Sequence, residues 1–150
     1  MVLTMLATRP TFFPLPLIGW REDVHLPEFS SAALVAKIDT GARTAALHAD
    51  AIEIMGKRVQ FTLDVNGKTK RCSASLIGTR RIKSSNGMSE LRPIISTLVE
   101  LGLHQFETEI TLTNRTDMGV PMLLGRNAMK GRFLVNPGRS FLISRKKKLK

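Results

Sequence analysis

The chain has 150 residues, enough for one domain with its own core and too few for two ordinary ones. Apolar residues make up 43% of it, which excludes a disordered tail, and no apolar run approaches the roughly 20 residues of a membrane-spanning helix. The net charge is +11; five of those charges (Arg145, Lys146, Lys147, Lys148 and Lys150) sit in the last six residues, and the body keeps +6, a field that favours acidic peptides or nucleic acid.

Residues 1–16 carry three prolines and are expected to be extended. The apolar start, Met1 to Ala7, stops at Arg9-Pro10 and lacks the parts of a signal peptide, so a cytoplasmic location is expected. The one cysteine, Cys72, allows no internal disulfide, in keeping with a reducing compartment. From there the dominant period is two, the spacing of half-buried strands. Leu34, Ala36 and Ile38 alternate on the way into Asp39. Val59, Phe61, Leu63 and Val65 alternate up to Asn66-Gly67, a pair suited to a type I′ turn. Across that turn Phe61 should face Cys72, and Val59 should face Ala74. Ile95, Thr97, Val99 and Leu101 line one further strand; Phe106, Thr108, Ile110 and Leu112 line the next. Met122-Leu123-Leu124 reads as a short buried strand, Arg126 to Lys130 as a short helix, and Phe133-Leu134-Val135 and Phe141-Leu142-Ile143 as two last strands. Ser84 to Gly87, Asn114 to Asp117 and Asn136-Pro137-Gly138 supply turns. The pattern indicates an all-β barrel or sandwich over residues 17–144, expected here as a closed barrel of six to eight strands with one short helix, followed by a basic tail at 145–150.

The chemistry centres on Leu34-Val35-Ala36-Lys37-Ile38-Asp39-Thr40-Gly41-Ala42, an apolar strand that delivers a carboxylate at its end. Asp-Thr-Gly alone is often only a turn. It gains weight from Pro121-Met122-Leu123-Leu124-Gly125-Arg126-Asn127-Ala128-Met129, two apolar residues and a glycine leading into a helix. This pair of segments resembles the retropepsins, half-size aspartic proteases. A wider match, carried by Ile18 to Glu22, Lys37 to His48, Lys83 to Gly87, Glu90 to Pro93, Thr111 to Arg115 and Met118 to Arg126, is similar to a bacterial family commonly labelled "ATP-dependent zinc protease". The resemblance implies a closed barrel of the retropepsin-like, acid-protease type and peptidase activity. It also implies a functional association with ATP-grasp ligases that attach amino acids such as glutamate.

By the same resemblance Asp39 is the catalytic carboxylate. Thr40 would bond across the interface, Gly41 would bring its N–H to the carboxylate, and Ala42 would lie at the mouth of the site. Leu123, Leu124 and Gly125 would complete the loop. Two adjacent carboxylates sharing one proton would activate water and protonate the leaving amine. Asp23, Asp50, Asp64 and Asp117 are not followed by Thr-Gly or Ser-Gly, so a dyad requires two chains, each giving one Asp39 in a homodimer. The hairpin from about Arg81 to Arg92, with Ser84, Ser85, Asn86 and Gly87 at its tip, is the expected flap.

Basic residues fall where a cleft is expected. Arg80, Arg81, Lys83 and Arg92 lie along the flap, Arg43 follows the loop, and Arg126 follows its second half. Arg43, Arg81, Arg92 and Arg126 are the expected substrate-binding set, and an acidic or glutamate-modified peptide the expected substrate. No cofactor is expected. His25, His48, His104 and Cys72 stand 23 or more residues apart with no metal-binding motif, so no metal site is expected. The Gly-Lys-Thr at Gly67-Lys68-Thr69 sits on a hairpin turn, not at a strand-to-helix junction, so it is not read as a phosphate loop. The alternative function is a non-catalytic module binding acidic peptides or nucleic acid. With 5% aromatic residues and no tyrosine, it has few surfaces on which bases could stack.

Overall fold

Alternation of apolar and polar side chains becomes strands in the computed structural model, which describes residues 14–83, 87–115 and 118–145. In chain order these are β1 (Leu17–Gly19), β2 (Arg21–Val24), β3 (Leu34–Ile38), β4 (Ala45–His48), β5 (Asp50–Met55), β6 (Arg58–Val65), β7 (Lys68–Ser75), β8 (Gly78–Lys83), β9 (Ser89–Leu101), β10 (His104–Thr113), β11 (Met122–Leu124), a short helix α1 (Arg126–Met129), and β12 (Leu134–Asn136). Among the described residues α1 is the one α-helix in an otherwise all-β fold.

The β6–β7 hairpin matches its sequence signal in register. Phe61 pairs with Cys72 and Val59 with Ala74. Asn66 (φ 56°) and Gly67 (φ 84°) both take the left-handed conformation that a type I′ turn requires. The buried face carries Val59, Phe61, Leu63 and Val65 into the core, where Phe29 meets Phe61 edge to face at 5.3 Å.

Strand order in the main, seven-stranded sheet is β2-β3-β11-β4-β10-β9-β8. The sheets do not close into a barrel, which corrects the sequence-based expectation. β5-β6-β7 and β1-β12 form separate sheets of three and two strands; β2 and β8 are the outermost strands of the large one, and β2 is covered on its outer side by Phe141 N–H to Arg21 O (2.8 Å) and Asp23 N–H to Ser144 Oγ (2.8 Å). The sheet curls enough for His25 and Glu100 to exchange backbone bonds of 2.9 Å in both directions, one bridge rather than a ladder. Local alternation specifies which face is buried, but it does not specify whether two edges meet.

The second correction concerns Phe141-Leu142-Ile143, which is not a strand. Phe141 has φ 55°, and the N–H groups that a ladder would use go elsewhere. Glu22, fully buried on β2, accepts from Leu142 N–H (2.8 Å), Ile143 N–H (3.4 Å), Ser144 N–H (3.2 Å) and the Ser144 hydroxyl (2.6 Å), and from Gly19 N–H (2.6 Å). These dipoles compensate a buried carboxylate that has no cation bonded to it among the described residues. Asp23 next to it grips Arg145 by Nε (2.5 Å) and a terminal nitrogen (3.0 Å). The expected extended segment 1–16 and basic tail lie outside the described residues, save Pro14 to Pro16 and Arg145.

Candidate active site

Asp39 sits where β3 runs out of the sheet. Its N–H donates to Leu124 O at 2.8 Å, so the loop is pinned to the end of β11, which runs parallel to β3 with Leu124 opposite Ile38. The loop then turns back on itself. Ala42 N–H donates to Asp39 O (3.2 Å), and Gly41 N–H donates to the Asp39 carboxylate (Oδ1, 3.0 Å). The carboxylate is therefore oriented by its own loop and stays half-buried, while Thr40 and Gly41 are exposed.

The second segment packs beneath. Arg126 N–H donates to Ala42 O (2.8 Å) and Asn127 N–H to Arg43 O (2.9 Å), which joins the start of α1 to the loop. This close approach requires Gly125. A Cβ there would stand 2.6 Å from Thr44 O and 2.7 Å from Thr44 C, contacts that real side chains do not make. The Arg126 guanidinium reaches back to Thr40 O at 3.0 Å, from 86 residues away. So Asp39, Thr40, Gly41, Ala42, Leu124 and Gly125, grouped by the family resemblance, lie together in the structure. Leu123 lies in β11 opposite Lys37 and Ala46.

Beside the loop runs a groove of about 610 Å³, lined by Thr40, Arg43, Arg126, Asn127 and Lys130 on a floor that includes Met129 and Phe133. Arg43 and Arg126 thus share one surface. In the hairpin expected to be the flap, β8 runs antiparallel to β9 with Lys83 opposite Ser89, and Gly87 is exposed; Ser84, Ser85 and Asn86 lie outside the described residues.

The two expected flap arginines do not join the Arg43–Arg126 surface. Arg81 is exposed and donates to Ser89 Oγ (3.3 Å) on the outer face of the hairpin. Arg92, only 8% exposed, donates through Nε to Glu90 (2.9 Å), and Glu90 also accepts from Thr113 Oγ1 (3.1 Å). The flap residue that does reach the loop region is Arg80, with a terminal nitrogen 3.3 Å from Thr44 Oγ1. Its period-two partner Ile82 marks the same face, and that was the available sequence signal.

Among the described residues no three His, Cys, Asp or Glu side chains gather as a metal site. His48 accepts from Arg115 N–H at Nδ1 (3.1 Å) with Nε2 3.7 Å from Asp50, and His104 meets Phe133 edge to face. Burial pushes the Cys72 thiol up, against opposing pulls from Lys70, a backbone bond near Leu63, and Arg71.

A strand-end Asp-Thr-Gly loop, braced by an apolar strand, a glycine and a helix from the far half of the chain, defines a retropepsin-like protein. The chain belongs to the RimB-like family, described as "Retropepsin-like aspartic endopeptidase RimB", whose family model matches residues 17–146. It is similar to a solved structure from Legionella pneumophila, protein Lpg0085 with unknown function (DUF785), at 28% identity and a TM-score of 0.71, covering 85% of this chain and 98% of that one. Curated relatives carry the name "Probable alpha-L-glutamate ligase". The protein from Shewanella pealeana is 40% identical over 87% of this chain, and that from Desulfotalea psychrophila 37% over 81%. The chain spans only 30% and 28% of the lengths of those two proteins.

Proposed function

We propose that the protein is an aspartic-type endopeptidase working as a homodimer, with the two copies of Asp39 sharing one proton. The observation that supports this most is the Asp39 loop itself: a carboxylate oriented by Gly41 N–H and held half-open at a strand end by Leu124 O. With one carboxylate ionised and the other protonated, the first takes a proton from water and the second hydrogen-bonds the scissile carbonyl. Water attacks the carbonyl carbon directly, and the amine leaves with a proton from the dyad. In this reading Thr40, which is exposed, bonds to the other copy, and the β8–β9 hairpin, whose arms pair antiparallel, covers the substrate.

The substrate we propose is an acidic peptide, of the kind a glutamate ligase would make. The cations of Arg43, Arg126 and Lys130 along the groove and the ligase names of the longer relatives support it. We also propose a working association with a glutamate ligase, which the same names support.

The test is digestion of a peptide library at low and moderate salt with mass-spectrometric readout. Cleavage beside acidic residues, weakened by salt, is expected. Asp39→Asn, nearly isosteric, should keep the fold and lower the rate about 10²–10⁴-fold. EDTA should leave the rate unchanged, and inhibition reversed by zinc would overturn the metal-free mechanism. Binding of acidic peptides without any cleavage would instead make this a binding module.

A further inference from the structure

We infer that Arg80 is the residue that reads substrate charge, receiving a carboxylate of the peptide between the flap and the Asp39 loop. This rests on the acidic-peptide reading above and assigns its recognition to one side chain.

The register of the hairpin fixes which side chains face inward. β8 pairs with β9 so that Arg80 lies opposite Arg92 and Ile82 opposite Glu90. These four are buried or half-buried, whereas Thr79, Arg81, Lys83, Ser89 and Leu91 are exposed on the outer face. The inner face thus carries two guanidinium groups directly across the ladder, an arrangement that is destabilising unless each is neutralised. Among the described residues only Arg92 is. Arg92 holds Glu90 at 2.9 Å with its side chain 10% exposed, and Glu90 is further fixed by Thr113. Among the described residues Arg80 has no carboxylate partner, and the one group it bonds is the neutral Thr44 hydroxyl, at a long 3.3 Å.

Position completes the argument. Thr44 follows the catalytic loop, and its backbone is the surface against which Gly125 packs. A guanidinium resting there ties β8 to Thr44, just after the Asp39 loop. It is half-buried, so its charge is only partly screened by water, and it has donors to spare. A peptide carboxylate entering beneath the flap would displace the Thr44 hydroxyl and receive paired N–H bonds. A glutamine side chain in its place would offer one weaker acceptor and no charge.

The experiment measures binding of two fluorescent peptides, one rich in glutamate and one with glutamine at the same positions, to the Asp39→Asn protein, in which turnover is suppressed. On that background Arg80→Gln should weaken the glutamate peptide about tenfold or more, the value of a hydrogen bond to a charged group. It should leave the glutamine peptide within about twofold. Arg80→Lys should restore part of the preference, since a point charge keeps attraction but not the paired geometry. Lys68→Gln, a charge removal at the distant β6–β7 turn, controls for the overall field. A glutamate preference that survives Arg80→Gln, or that falls equally with Lys68→Gln, overturns the role of Arg80 alone. No preference in the parent protein overturns the acidic-peptide reading as well. Arg80-dependent binding alongside an uncleaved substrate in the Asp39 protein would uphold Arg80 and overturn the peptidase.

Discussion

Asp39 is positioned by neighbours that have no chemistry of their own, and the most demanding of them is Gly125. Any side chain there must displace the Thr44 backbone rather than a flexible tip. Gly125→Ala should therefore destabilise the fold by about 1–3 kcal/mol or more, the usual cost of overpacking, read as a lowered urea midpoint. Glu22→Gln is expected to cost about 3 kcal/mol, because buried N–H groups would face an amide that cannot accept from all of them. The thiol of Cys72 makes a pH prediction. Burial raises it above its usual 9.0, so the folded chain keeps a proton that the unfolded chain has lost. Its contribution is intact below pH 9.0 and is lost as pH climbs through the raised value. Wild type should lose more stability between neutral pH and pH about 10 than Cys72→Ala does, in paired denaturant titrations.

Elements differed in how far the sequence disclosed them. The β6–β7 hairpin was legible to the residue because Asn66-Gly67 sets the register and the period of two sets the face. Asn66→Val should cost about 1–3 kcal/mol, since a β-branched side chain resists the positive φ seen there. β11 and α1 were legible as elements, and their place under the Asp39 loop came from the family resemblance. β1 and β12 are a different matter. They pair parallel, Ile18 with Val135, from opposite ends of the domain, and no local pattern announces a partner so distant. The segment from Phe141 to Ile143 misled because three consecutive apolar residues suit a strand, yet their neighbourhood holds the Glu22 carboxylate, a better acceptor than any ladder. On the flap, charge was visible in the sequence but orientation was not: Arg81 and Arg92 stand out by composition, while the pairing of β8 with β9 turns Arg80 inward.

For the whole molecule, the proposed mechanism makes assembly a condition of chemistry, because each chain carries one Asp-Thr-Gly. Initial rates should rise faster than linearly with protein concentration below the dimer dissociation constant and become linear above it. Sedimentation on the same samples should show the matching shift in mass. Monomer that cleaves at an undiminished specific rate would exclude a dyad shared between copies. One edge of the seven-stranded sheet bears on the same point: β8 is unpaired on its outer side within the described residues, and its exposed Arg81 and Lys83 discourage adventitious strand pairing there.

The parallel pairing of β3 with β11 also sets the order of events when the chain folds. Hairpins such as β6–β7 can form from neighbours within microseconds, whereas the Asp39 loop must wait for a strand some eighty residues downstream. Until Leu124 arrives, Asp39 N–H has no partner and the carboxylate has no fixed direction. The centre therefore matures late, after most of the sheet around it. In a refolding time course, protection of the Asp39 amide from hydrogen exchange should lag behind that of Phe61 and Leu63. A chain cut before Met122 should keep the β6–β7 hairpin yet never acquire the ordered loop.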